Sequence, residues 1–581
     1  MKTFLIFTSV FFLLSATYAQ KFVCSETDSV IFKAMKDEMD RSMTEYNNPE
    51  AGKFFYIMYQ IDDGQSLFAS ASLGSLLNSY KKIFRNKGYR IMMGNYNFND
   101  ENFIRSSRDF NNQSLQNNIK VPLDNDYMGI RRSLWAYTDI AYSRCIKSYL
   151  DKKAFFKKNP ELFPEIPDYT KIDSTEFLRN SDFNLLDKKK AEVLVKDISN
   201  VFRNYDKIVE SLVTFNQIII NVYLLSTEGV KVKIPLNYSL LSVKVSALKD
   251  SLTDKKQSEN LTYYDVNPEN LIQKIDKIKT DAEKLANYTI AIIDAEELEE
   301  DYDGPVILSD RATSNFFYKT MFGSDINIIA TRESVYENPK WNYLRKKDNL
   351  FEKKIGEFVI PKEFSVIDRS KLTSYKNKKL LGTTLIDQEG VVPPDELELI
   401  KDGRLITLFN DRIPTVSVSK SNGHKRLGVS ATSSITKIAP SNLFIEYSKG
   451  VDFQRIEKLF YKLCKEDELE YGIIIKSLIP EADYSPFVYY KVFKDGKEQL
   501  IKNLSFPHSD KRSLKKIEAC TSEQYISNKL IGSKSDGFLN MNLGLISSDL
   551  TGCFSGIVTP SSILIKDIEL NKKENSLNWF D

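Results

Sequence analysis

Apolar and polar positions change period several times along this chain, and each change predicts a different element. Over residues 30–45 the apolar side chains Ile31, Phe32, Met35, Met39 and Met43 recur at helical spacing, with acidic residues opposite and Asp28 or Ser29 placed to cap. Residues 54–61 read as a strand ended by Asp62-Asp63-Gly64, and 68–76 and 89–96 as further strands. After the Asp124-Asn125-Asp126 turn, residues 127–158 form a long helical pattern whose apolar face holds Ile130, Leu134, Tyr137, Ala141 and Ile146. Further helical patterns cover 186–205 and 268–285, and strand patterns cover 217–227, 230–235 and 240–249.

The acidic run 296–303 reads as a flexible junction. Beyond it, 304–308 is a short buried strand and 312–321 a helix capped by Ser309 or Asp310. Charged, turn-rich sequence over 332–354 reads as an excursion. From Phe358 onward, short β-type runs alternate with Gly, Pro, Asn and Asp, interrupted by one helix over 453–464. Two hairpins stand out. Residues 397–400 and 405–409 flank Lys401-Asp402-Gly403-Arg404, and 487–493 and 498–501 are joined around Asp495-Gly496-Lys497; Asp-Gly suits a tight hairpin because both residues tolerate positive φ. The order of elements predicts an α+β chain with four parts: a leader over 1–19, a mixed sheet domain over 20–300, a strand, helix and connecting loop over 301–355, and a β-rich domain over 356–581.

Composition changes this picture in two ways. The 81 basic and 79 acidic residues nearly cancel, at net +2, so no electrostatic attraction to nucleic acid is expected. The first 19 residues differ from the rest: Lys2, an apolar run over 4–14 and the small-residue pattern Thr17-Tyr18-Ala19 read as a cleaved export signal, too short to span a bilayer. The mature chain is expected to begin near Gln20 in the periplasm or outside the cell, with no membrane anchor. Five scattered cysteines imply no disulfide framework, and two histidines exclude any chemistry that needs several imidazoles.

Two groups of residues invite a binding role. Asp387 and Glu389 form a carboxylate pair in an acidic turn, where hydrogen bonding to backbone amides competes with catalysis. Asn422, His424 and Arg426 stand in a polar loop that suits a peptide carboxylate or phosphate, against the plainer reading of a solvated turn. His508 lies in another polar loop. Neither histidine has a recognisable Ser or Cys nucleophile beside it.

Several segments together resemble the TldD/PmbA family, metallopeptidase-like proteins also described as modulators of DNA gyrase. Gly382–Gly390 is similar to the family's turn with Asp and Glu-Gly; Leu399-Ile400-Lys401-Asp402-Gly403-Arg404-Leu405 to its hairpin; Ala439-Pro440-Ser441-Asn442-Leu443 to the start of a strand; Tyr471-Gly472-Ile473 and Gly304-Pro305-Val306 to two further strands. In the N-terminal half, 34–42, 55–59 and 132–135 resemble a long exported branch. The resemblance implies an α+β domain followed by a β-rich domain. In catalytic members a helix after the Gly-Pro-Val strand carries His-Glu-x-x-x-His, and a later cysteine completes a zinc site. Such ligands leave one position open for a water whose pKa falls to about 7. Here Tyr318, Lys319 and Gly323 stand where that resemblance puts His, Glu and His, and no cysteine follows Tyr471-Gly472. No zinc or other cofactor is therefore expected. The resemblance implies a non-catalytic partner of a zinc-bearing paralogue, in a homo- or hetero-oligomer, or a peptide-binding subunit. The alternative is an active metallopeptidase using non-standard ligands such as His424, His508, Cys464 or residues 296–300.

Overall fold

The computed structural model describes residues 24–104, 120–249, 256–323, 326–332, 334–336, 349, 351–430, 433–508, 510–532 and 551–572. The segment read as an export signal lies outside them, as does most of 332–354.

The N-terminal half is built on a seven-stranded sheet. Its five principal strands lie antiparallel in the order Ser75–Met93, Gly52–Ser72, Ile208–Ser226, Lys231–Ala247 and Gln257–Asp265. Alternate residues face opposite sides. On one face, helices Glu26–Glu45 and Tyr127–Lys158 cover Ile57, Tyr59, Ile61, Tyr223 and Leu225, while Lys188–Asn200 and Ile275–Ala291 cover Leu67, Ala69, Val213, Phe215, Val243 and Leu261. The other face presents Ile218, Ile220, Val222 and Val232 to Leu381, Ile386, Leu427, Val429 and Phe554 of the C-terminal half. Apolar burial on both faces explains why these strands read as nearly continuous hydrophobic runs.

The C-terminal half packs two sheets around one core. One runs in the order Ile517–Cys520, Ser562–Leu570, Tyr302–Ser309, Tyr471–Ser477, Phe487–Phe493, Glu498–Lys502 and Glu296–Glu297; the other runs Arg404–Leu405, Leu397–Lys401, Phe364–Asp368, Asn442–Tyr447, Cys553–Pro560 and Gln524–Ile531. Val306, Leu308, Ile473 and Ile565 of the first meet Val366, Leu399, Leu443 and Ile445 of the second, and helix Arg311–Met321 adds Phe316, Phe317 and Met321. Helix Phe453–Glu466 closes the outer face of the first sheet through Ile456, Phe460 and Cys464. The α+β expectation holds.

Several boundaries differ from the pattern reading, each for a tertiary reason. Asp62-Asp63-Gly64 does not end a strand; Gly52–Ser72 passes straight through it. Asp62 accepts hydrogen bonds from the Ser434 amide and hydroxyl, Asp63 pairs with Arg85, and the Phe84 ring packs so tightly over Gly64 that a Cβ there would meet it at 2.5 Å. The turn lies instead inside the predicted strand 68–76, at Leu73 and Gly74, both at positive φ. The first helix starts earlier, at Glu26, because Ser25 and Asp28 form a reciprocal capping box. Residues 296–303 are not a free linker: Glu296–Glu297 pairs with Ile501–Lys502, and Glu296 forms an ion pair with Lys491. The Asp402-Gly403 turn forms as read, with φ of 46° and 78°, but its return strand is only Arg404–Leu405.

Candidate functional site

Tyr302–Ser309 runs parallel to Tyr471–Ser477, and the chain turns at Asp310, at φ 56°, directly into helix Arg311–Met321. The three positions singled out on this helix do not converge. Tyr318 is buried against Phe322, Ile531 and Ile557, with the Lys529 ammonium 3.8 Å over its ring. Lys319 lies 5.2 Å over the Phe506 ring. Gly323 follows the helix end, and a Cβ there would sit 2.9 Å from the Lys319 carbonyl oxygen. A phenol in apolar packing, an ammonium and a residue without a side chain do not fit zinc, which takes imidazole, thiolate or carboxylate. Among the described residues no group of three His, Cys, Asp or Glu side chains gathers to hold a metal ion. Cys464 sits in an apolar cluster with Phe460 and Val492, where burial pushes its thiol up to about 11. His508 is exposed on its loop.

The acidic turn forms a buried joint between the two halves, and the polar loop is tied to it through the Lys425 amide. The Asp387 carboxylate accepts from the amides of Glu389 (2.9 Å), Val391 (2.8 Å) and Lys425 (3.2 Å), so the turn uses it as a backbone acceptor. Burial and the neighbouring Glu389 push its pKa well above the usual carboxylate range. Glu389 accepts from Arg90 Nη1 of the N-terminal sheet at 2.6 Å and from the Arg412 amide at 2.8 Å. Arg412 answers from the C-terminal side, binding Glu228 at 2.7 Å and the Thr170 carbonyl, and lies 4.1 Å from the Tyr169 ring centre.

The reading of 421–426 as an open loop or solvated turn is corrected. His424 is fully buried, with Nδ1 2.8 Å from the Asn422 carbonyl oxygen and Nε2 3.2 Å from Asp368 Oδ1, so both ring nitrogens are occupied. Asn422 donates to the Leu408 carbonyl and accepts from the Asn410 amide. Arg426 is buried, donating to the Thr384 hydroxyl and to the carbonyls of Pro440 and Phe554.

A second polar cluster lies where strand Tyr302–Ser309 gives way to its helix. The loop after Tyr471–Ser477 reaches back to the N-terminal sheet, where Tyr484 and Thr262 exchange backbone hydrogen bonds at 2.9 and 3.1 Å. Between these elements sit Asp310, Arg311, Lys378 and Asp483, walled by Tyr264, Tyr484, Phe487, Tyr489 and Tyr525. Burial, with Glu481 and Glu523 nearby, pushes Asp310 up to about 6. Burial likewise pushes Asp483 up to about 6, against its hydrogen bond from the Tyr264 amide at 2.7 Å. Burial lowers Lys378, whose ammonium donates to the Ile526 carbonyl at 2.7 Å. Two carboxyls that change charge near neutrality, a basic pair and aromatic walls suit recognition of a polar, charged ligand end. Sequence reasoning named Asp310 only as a cap, a bond its side chain does not make. Arg311, Lys378 and Asp483 carried no local signal, because they are far apart in the chain and meet only across the seam.

Residues 302–572 match the family described as PmbA/TldA metallopeptidase C-terminal domain. Three solved structures share the fold. A candidate modulator of a DNA gyrase from Thermotoga maritima is 14% identical with a TM-score of 0.51, covering 94% of this chain and 99% of that one. TldE from Thermococcus kodakarensis is 11% identical with a TM-score of 0.50, covering 93% and 100%. A candidate modulator of DNA gyrase from Bacteroides thetaiotaomicron is 10% identical with a TM-score of 0.52, covering 95% and 100%. No curated protein matches the chain by sequence.

Proposed function

We propose that the chain, whose residues 302–572 match the PmbA/TldA metallopeptidase C-terminal domain, is a TldD/PmbA family member without a zinc site of its own, acting in proteolysis as a peptide-binding, non-catalytic subunit. The observation that carries this reading is the donor set after the Gly-Pro-Val strand. Tyr318 is packed in the core, Lys319 brings positive charge, and Gly323 brings no ligand. No hydrolytic step is derived through a metal, because these residues do not fit one. The His424–Asp368 pair does not supply a substitute, since Nδ1 and Nε2 are both taken inside the C-terminal half. What remains is a binding surface, and the seam around Arg311 offers its charged and aromatic groups for one end of a peptide.

On this reading the chain pairs with a TldD-like paralogue carrying intact zinc ligands, as a homo- or hetero-oligomer, and works outside the cytoplasm after removal of residues 1–19. The test is metal analysis of the purified mature chain together with affinity capture from its host. Less than a tenth of an equivalent of zinc and recovery of a paralogue with His-Glu-x-x-x-His are expected. Stoichiometric zinc lost together with peptidase activity on chelation would refute the proposal and favour an active peptidase with non-standard ligands.

A further inference from the structure

One part-buried guanidinium in the seam has no answering carboxylate among the described residues. Arg311 opens helix Arg311–Met321, and its guanidinium carbon lies 4.0 Å from the Phe487 ring centre and 4.3 Å from that of Tyr484. Nη2 donates to the Ser485 carbonyl. Nε is buried and has no hydrogen-bond partner among the described residues, and no described carboxylate lies within 4.0 Å of the guanidinium. The other arginines inside the molecule are satisfied. Arg85, Arg90 and Arg412 meet Asp63, Glu101 and Glu228 at 2.9, 2.5 and 2.7 Å, and Arg426 is saturated by carbonyls and hydroxyls.

A guanidinium partly withdrawn from water without a counter-charge carries a desolvation cost that a bound anion would offset. Arg311 keeps part of its surface exposed and Tyr484, one of the two rings beside it, is 40% exposed, so the guanidinium borders solvent. The carboxyls of the seam do not fill the role. Asp483 is turned to the Tyr264 amide, and Asp310 forms no ion pair with Arg311.

We propose that the seam beside Tyr484 and Phe487 is a carboxylate subsite, with the Arg311 guanidinium as its donor and the α-carboxylate of a bound peptide as its occupant. The identity of that occupant rests on the peptide-binding reading above; the anion slot itself does not. The planar guanidinium, lying against the Tyr484 and Phe487 rings, carries donors in the fork geometry a carboxylate accepts.

The mature chain is titrated by calorimetry with acetyl-Ala-Ala-Phe as the free acid and as its C-terminal amide, and its melting temperature is followed with and without benzoate. Wild type, Arg311→Gln and Arg311→Lys are compared. The free acid is expected to bind at least tenfold more tightly than the amide, and Arg311→Gln to abolish that ratio. Without ligand, Arg311→Gln melts at or above the wild-type temperature, because a charge lacking a partner has been removed. Arg311→Lys keeps part of the preference. Benzoate protection that requires Arg311, with neither peptide binding, keeps the carboxylate slot and refutes the peptide reading. Equal binding of acid and amide overturns the subsite and leaves peptide binding standing. A lowered melting temperature in Arg311→Gln with the acid-to-amide ratio unchanged makes Arg311 a packing residue and overturns the proposal, as does the absence of any response to all three probes.

Discussion

Glu389→Ala tests whether the buried joint holds the two halves together. The Glu389 side chain is fully buried and binds Arg90 at 2.6 Å across the interface and the Arg412 amide at 2.8 Å within its own half. Truncation leaves the Arg412 amide without its acceptor, a loss of about 1–3 kcal/mol for a buried donor. Breaking a buried ion pair outright costs about 3–5 kcal/mol. Arg90 keeps Glu101 at 2.5 Å, and the repulsion between Glu389 and its buried acidic neighbours Asp387 and Asp411 is relieved, so only part of that second penalty applies. The expected total is about 3 kcal/mol. Glu389→Gln should fall between wild type and alanine, because one amide oxygen cannot serve both donors while its NH2 opposes the other. Urea unfolding followed by fluorescence measures this, with Glu396→Ala as the comparison. Glu396 pairs with Arg369 on the surface, at 58% side-chain exposure, and its loss should cost under about 1 kcal/mol. If Glu389→Ala unfolds within about 0.5 kcal/mol of wild type, the joint is not what fastens the halves, and the assignment of Glu389 as a structural acceptor fails.

Three further outcomes follow from the same geometry. Asp483 has a folded pKa raised to about 6 from 3.8, so the wild type loses stability as pH rises through that window; Asp483→Asn should match wild type near pH 4 and melt above it at pH 8, as a melting-temperature series would record. Gly382→Ala should cost more than about 3 kcal/mol or prevent folding, because its Cβ would lie 1.9 Å from the Ser441 carbonyl oxygen and 2.7 Å from the Gly556 amide; thermal unfolding reads this directly. A colorimetric thiol reagent should titrate Cys24 rapidly in the native chain and all five thiols in denaturant, since Cys145, Cys464, Cys520 and Cys553 are buried.

Local pattern alone determined a good deal of this protein. Helix Tyr127–Lys158 lies where its periodicity placed it, with Asp126 as its N-cap, and the Asp402-Gly403 and Asp495-Gly496 turns sit where two residues dictate the conformation. The α+β class and the likeness of the C-terminal half to the TldD/PmbA family were legible too, because they depend on element order and short motifs that persist in one dimension. Only the tertiary structure decided which polar residues go inside. Asp62 and Asp63 look like a strand terminator until Ser434 and Arg85, brought from elsewhere in the chain, satisfy them. His424 and Arg426 look like a solvated loop until Asp368, Pro440 and Phe554 close over them. The Arg311 seam had no signature at all. Its aromatic walls and carboxyls come from residues 264, 310, 483, 484, 487, 489 and 525, and the charge they surround is defined by partners that only folding brings, or fails to bring, within reach.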